Sequence, residues 1–216
     1  MSLATLILGE SGTGKSTSLR NLNPADTLLI QTIKKPMPFR AKGWTTLGKG
    51  TSDGCIWHCD DSAKIVTAMS RSTRPVIVID DFQYLLANEF MRRTEERGYD
   101  KFTEIGRHAW DVLSAASALP DSTRVYILSH TETSDAGRTK MKTLGRMLDE
   151  KITVEGMFSI VLRTRVVNDQ YLFSTRNNGA DTVKSPLGLF EQDLIDNDLS
   201  AVDHAICAYY DINQPA

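Results

Sequence analysis

"LILGESGTGKSTSLRNL", residues 6–22, decides how the rest of the chain is read. An apolar run gives way to glycines, then to a lysine, then to hydroxyls. From Gly9 the order Gly-Glu-Ser-Gly-Thr-Gly-Lys-Ser meets every fixed position of the pattern G-x-x-x-x-G-K-[ST]. Such a stretch suits a loop wrapped around a polyphosphate, because glycines at 9, 12 and 14 let backbone N–H groups approach an anion with no side chain between. A helix begun near Lys15 would aim its partial positive charge and unpaired N–H groups at the same anion. Gly9, Glu10, Ser11, Gly12, Thr13, Gly14, Lys15, Ser16 and Thr17 are therefore the expected cofactor-binding residues, with ATP and Mg²⁺ as the cofactors. Lys15 is expected to reach the β- and γ-phosphates, the Ser16 hydroxyl to ligate Mg²⁺, and Thr17 to lie near the α-phosphate. The flanks agree: "LATLILG" (3–9) reads as a strand, and "KSTSLRNL" as a helix that stops before Asn23-Pro24.

Such a loop needs a carboxylate on a neighbouring strand. "RPVIVIDDFQYLL" (74–86) supplies one: Val76 to Ile79 form a continuous apolar run, as in a central strand buried on both faces, and it ends in Asp80-Asp81. Two adjacent acids at the end of a buried strand are costly unless a cation or proton chemistry keeps them there. Asp80 is the expected metal-side carboxylate. Side chains alternate along a strand, so Asp81 points elsewhere and is the candidate to polarise an attacking water. A third strand, "TRVYILSHTET" (123–133), also ends in polar residues, Ser129 and His130.

The bulk properties bound the rest. At 216 residues the chain has room for one substantial α/β domain, and 41% hydrophobic with 24% charged residues is ordinary for a soluble globular protein. No apolar run approaches a membrane span, and no basic leader opens the chain, so a cytoplasmic protein with no membrane partner is expected. Three cysteines, an odd number, argue against a disulfide framework. "CIWHC" (55–59) gathers Cys55, His58 and Cys59, but no second ligand pair accompanies them, and a buried strand is the expected reading. A net charge of −2 announces no nucleic-acid partner, so any such binding must come from local patches.

Strand-like runs recur at 3–9, 26–33, 54–59, 75–80, 124–129, 157–167 and 170–176, with helical stretches at 60–72, 100–120 and 196–212. Strand-helix-strand alternation implies a mostly parallel central sheet covered on both sides. The last two strands meet through Asn168-Asp169 and read as a C-terminal antiparallel hairpin. No internal repeat or long linker divides the chain.

This order of parts resembles the RecA-like P-loop NTPase core. More narrowly it resembles small phage-encoded ATP-binding proteins related to RecA, of the single-strand annealing and recombination group. "IDDFQYLLANEFMRR", "LSHTE", "LDEKITVEGMF" and "NNGADTVKSPLGLF" carry the likeness along nearly the whole chain. The resemblance implies a DNA-stimulated ATPase acting on single-stranded DNA in phage recombination or replication, inside the cytoplasm of an infected bacterial host. It also implies that Ser129 or His130 senses the γ-phosphate. In RecA itself the catalytic glutamate follows the strand after the P-loop helix. Here that strand leads into Gln31, Thr32, Lys34 and Lys35 with no acid, which makes Asp81 the preferred base and leaves slow hydrolysis or a nucleotide switch open.

The same likeness points to the loops after the acidic and sensor strands as DNA contacts. "NEFMRRTEERGYDKF" (88–102) mixes Arg92, Arg93, Arg97 and Lys101 with Phe90, Tyr99 and Phe102, diluted by Glu89, Glu95 and Glu96. "TETSDAGRTKMKTLGRM" (131–147) carries Arg138, Lys140, Lys142 and Arg146 in a stretch expected to be mobile. A homo-oligomer, ring or filament, is implied too, with Arg176 or Lys184 completing a neighbour's site. Two alternatives stay open. One is a nucleotide-switched adaptor or loader with little turnover. The other is a small-molecule P-loop kinase, with Arg92-Arg93 or Arg138 as its lid.

Overall fold

The computed structural model describes residues 1–48, 53–135, 137–145 and 147–212. Its centre is a nine-stranded mixed sheet: β1 (Leu3–Gly9), β2 (Thr27–Gln31), β3 (Ile56–His58), β4 (Val76–Asp80), β5 (Arg124–Thr133), β6 (Thr139–Met141), β7 (Ile160–Val167), β8 (Gln170–Ser174) and β9 (Leu194–Asp196). The spatial order is β3-β2-β4-β5-β1-β7-β8-β9, with β6 paired to the far end of β5. From β3 through β7 the neighbours on this path are parallel; β8, β9 and β6 are antiparallel.

The continuous apolar runs follow from burial on both faces. Leu6, Leu8, Ile77, Ile79, Val125 and Ile127 pack on one side against α1 (Ser62–Arg71), α2 (Gln83–Arg92) and α3 (Asp100–Ser117). Ile7, Val76, Val78, Tyr126 and Leu128 face the other way, against Leu19, Leu22 and α4 (Leu199–Tyr209). Alternation with a period of two therefore persists beneath a sequence that is apolar throughout. Asn168 and Asp169 have φ of 50° and 61°, the paired left-handed conformation of a two-residue hairpin turn, and they join β7 to β8 as expected.

Several expectations need correcting. The segment after the glycine loop is a six-residue 3-10 helix, Ser16–Asn21, not a longer α-helix, because Asn23-Pro24 ends it within two turns. The strand expected from 157 begins at Ile160, since Val154–Met157 is a 3-10 turn. The segment 88–102 is helical at both ends, where 88–92 complete α2 and 100–102 open α3, and is a loop only at 93–99. The stretch after the sensor strand, expected to be a mobile loop, is a hairpin of β5 and β6. It is fastened where Thr139 N donates to Ala180 O at 2.8 Å and Met141 N to Glu155 Oε1 at 2.7 Å. Arg146 lies outside the described residues. Among the described residues no helix is long and apolar enough to cross a membrane.

Candidate functional site

Parallel strands bring their carboxyl ends, and the loops that follow them, to one edge of the sheet. The 9–15 loop leaves β1 there, with Gly9 in register with His130 of β5 and Leu8 with Arg163 of β7. On the far side of β5, β4 ends in Asp80, in register with Gln31 of β2. A cleft of about 570 Å³ opens at this edge, lined among others by Gly14, Lys15, Ser16, Lys35, Asp81 and His130.

The loop's shape is set by its glycines, for two different reasons. Gly12 and Gly14 have φ of 80° and 98°, a left-handed backbone that side chains resist, and a Cβ on Gly14 would lie 3.0 Å from Tyr171 and 3.1 Å from Asn197. Gly9 serves packing instead of anion approach: a Cβ there would lie 1.9 Å from Thr164 Oγ1 on β7. Thr13 closes the same corner, donating to Glu10 O at 2.7 Å and meeting Thr164 Oγ1. Ser11, Gly12, Gly14, Lys15, Ser16 and Thr17 thus line the cleft, while Gly9 and Thr13 brace the loop from behind. Glu10 turns toward Arg163, at 3.7 Å.

Lys15 folds back across the loop and donates to the carbonyls of Gly9 and Glu10, each at 2.8 Å. Burial pushes its ammonium pKa down to about 8 against the pull of Asp81 and Asp80.

The acidic pair sits opposite. Ser16 Oγ lies 2.9 Å from both carboxylate oxygens of Asp80, which is fully buried. Burial, then the neighbouring Asp81, raises the Asp80 pKa, partly offset by Lys35. Asp81 is in a left-handed conformation, φ 61°, which turns the chain sharply from β4 into α2. Thr32 Oγ1 holds that corner by donating to Asp80 O at 3.2 Å and Asp81 O at 2.7 Å. Burial works against ionisation of Asp81, but bonds to His130 and Lys35 outweigh it and hold the carboxyl below its usual range. His130 Nε2 is 3.5 Å from Asp81 Oδ1, and its ring meets Tyr84 edge-on at 5.9 Å. Of the two candidate sensors, His130 lines the cleft, while Ser129 is buried with its hydroxyl unpartnered.

The donor set fits a nucleotide with a divalent cation. A hydroxyl and a buried carboxylate converge beside a glycine cradle, and the Lys35 ammonium already stands among them as a positive charge. Its Nζ contacts Asp81 Oδ2, lies 3.6 Å from Asp80 Oδ2 and donates to Ser16 Oγ at 3.3 Å. Sequence reasoning noticed Lys35 only as the absence of an acid.

The expected polymer contacts fall elsewhere. Arg92 pairs with Asp60 at 2.5 Å, and Arg93 is shared among Glu89, Glu96 and Glu104, so their charge is matched locally on the outer helices. Lys140 pairs with Glu132 across the β5–β6 hairpin at 3.3 Å. Arg138 and Lys142 are exposed on that hairpin. Arg176 pairs with Asp193 at 2.7 Å, and Lys184 is exposed where its backbone bridges to Val161. No protein-family model matches the chain, and comparison with curated proteins finds no match either.

Proposed function

We propose that this chain is a Mg²⁺-dependent ATP-binding protein of RecA-like P-loop type that hydrolyses ATP, with single-stranded DNA as its effector in phage recombination or replication. One observation carries the reading: Ser16 and Asp80, 64 residues apart in sequence, converge at 2.9 Å beside a glycine loop crossed by Lys15. In this reading the loop N–H groups and Lys15 hold the phosphates, and Ser16 and Asp80 hold the cation. Mg²⁺ would supply neutralisation of charge on the β- and γ-phosphates. Asp81 orients and deprotonates the attacking water, and His130, bonded to Asp81, lies where it can report on the γ-phosphate. Tyr171, about half exposed above Gly14, offers a face for the nucleobase.

DNA would meet the β5–β6 hairpin through Arg138 and Lys142 in preference to Arg92 and Arg93, whose charges acids already match. That same pairing weighs against the small-molecule kinase, since Arg92 and Arg93 are not free to close over phosphates. The adaptor reading draws support from Asp81, whose carboxylate is engaged by Lys35 and His130.

The test is ATP hydrolysis by purified protein with and without single-stranded DNA across a salt series. Stimulation that fades with salt supports a DNA-dependent ATPase. Tight ATP binding with no stimulation at any salt supports the adaptor. Absence of ATP binding overturns the proposal.

A further inference from the structure

The geometry points to Lys35 as a built-in placeholder cation, which holds the acidic pair together in the nucleotide-free protein and must be displaced before a divalent ion can bind. This rests on the reading of Ser16 and Asp80 as a cation site. Three oxygen-bearing groups converge there, and the Lys35 ammonium touches all of them: Ser16 Oγ at 3.3 Å, Asp80 Oδ2 at 3.6 Å and Asp81 Oδ2 in direct contact. Among the described residues two ammonium groups line the cleft, Lys15 and Lys35, and of these Lys35 has this position. Lys15 Nζ is spent on the carbonyls of Gly9 and Glu10, so it does not neutralise the carboxylates by direct contact. Lys34, the adjacent residue, is exposed.

The placement has a structural reason. Gln31 ends β2 in register with Asp80, so the chain leaving β2 passes over the acidic corner, and Thr32 pins it there through Asp80 O and Asp81 O. Lys35 then reaches back into the site, while Ile33, Pro36 and Pro38 line the same cleft. A buried carboxylate beside a second one is costly without a compensating charge, and Lys35 provides it. A divalent ion binding Ser16 and Asp80 would occupy the space of that ammonium and repel it. Displacing the Lys35 ammonium would thereby shift the strap of residues 33–38 that carries it.

The experiment titrates Mn²⁺ into nucleotide-free protein and reads free Mn²⁺ by electron paramagnetic resonance. Lys35→Gln should bind Mn²⁺ about tenfold more tightly than wild type, the scale of removing one unit charge at contact distance in a partly screened site. Lys35→Arg keeps the competing charge and should match wild type, as should Lys34→Gln, which removes a charge of equal sign from the next residue. Affinity in Lys35→Gln equal to or weaker than wild type overturns the inference. Melting is a second measurement: without metal Lys35→Gln should unfold at lower temperature, and added Mg²⁺ should raise its midpoint more than that of wild type. An equal rise in both proteins overturns it. Lys35→Met, which retains the aliphatic stem, repeats both tests if the glutamine variant does not fold. Because no nucleotide is present, displacement of Lys35 in a protein that fails to bind ATP would uphold this inference while removing the proposed function. ATP binding with unchanged Mn²⁺ affinity would do the reverse.

Discussion

Ser16 Oγ stands 2.9 Å from each carboxylate oxygen of Asp80, joining the end of the glycine loop to the end of a strand two positions away in the sheet. In the proposed function this hydroxyl–carboxylate pair would supply two oxygen ligands to a hard cation. Asp80→Asn keeps the size and one oxygen of the side chain but loses its charge. ATP affinity in Mg²⁺ should fall about tenfold or more, while affinity in excess chelator should change little. Equilibrium binding under both conditions checks this, and an equal loss in both would show that Asp80 supports the fold only.

Lys15→Ala should weaken ATP binding about ten- to a hundredfold without loss of stability. Burial disfavours the Lys15 ammonium, and its partners are two backbone carbonyls, so its removal deletes no ion pair by direct contact. A charge-assisted contact to phosphate is worth roughly 1.5–3 kcal/mol, or about ten- to a hundredfold in affinity. Circular dichroism melts should superimpose on wild type. Unchanged ATP affinity would overturn the assignment of the loop.

Asp81→Asn should bind ATP normally and lose about a hundredfold or more in turnover. Asparagine tolerates the left-handed conformation that Asp81 adopts, so the backbone corner survives, and what is lost is the carboxylate charge that serves as base and pairs with Lys35 and His130. Single-turnover hydrolysis beside an ATP-binding curve separates the two effects. Normal hydrolysis would move the base to Glu132, which lies further along β5 and pairs with Lys140.

Much of this was legible in the sequence, and the reasons are physical. The runs through Leu6, Ile77 and Val125 are apolar without interruption because both sheet faces are covered, so mostly parallel pairing follows from the alternation of elements, whereas the spatial order of the strands does not. The glycine loop and the acidic strand end are local patterns, and they meet where their strands end. What escaped notice depends on tertiary placement. β6 and β9 are three-residue strands with no pattern of their own. α2 begins at Gln83, two residues past the left-handed Asp81, so its start carries no capping side chain to announce it. Lys35 gains its position only because β2 pairs with β4. Arg92 and Arg93 look like a basic patch in sequence, but Asp60 and Glu104 reach them from other elements.

Asp61 gives the fold a pH dependence of definite sign. It caps α1, accepting from Lys64 N at 3.1 Å, and that bond, with the Lys64 side chain, holds its carboxyl below the ordinary value of 3.8. A carboxyl whose pKa is lower in the folded state stabilises fully above its unfolded value and loses that contribution as pH falls through the folded one. Asp61→Ala should cost about 1 kcal/mol at pH 7, and the gap from wild type should narrow below about pH 3.8. Urea melts at both pH values check it. A gap that stays constant would assign the effect to helix propensity instead.

Asp203 carries the largest expected loss of stability away from the cleft. It projects from α4 into the sheet, where Arg124 Nε and Nη2 donate to its two oxygens at 3.0 Å each and the Tyr126 hydroxyl donates to the same carboxylate. All three residues are buried. Burial opposes the Arg124 charge, but Asp203 outweighs it and raises the guanidinium pKa; burial and the Asp203 charge together raise that of Tyr126. Asp203→Ala leaves a guanidinium and a phenol in the interior with their main partner gone, and should cost about 3–5 kcal/mol by urea denaturation. The cost is one of stranding, not of losing an attraction, so replacing both charged partners should be milder. Arg124→Met combined with Asp203→Leu removes the charge and its partner together, and should recover much of the loss. If the double variant is instead less stable than Asp203→Ala alone, the pair contributes net attraction, and α4 is held to the sheet by electrostatics more than by Leu199, Val202 and Ile206.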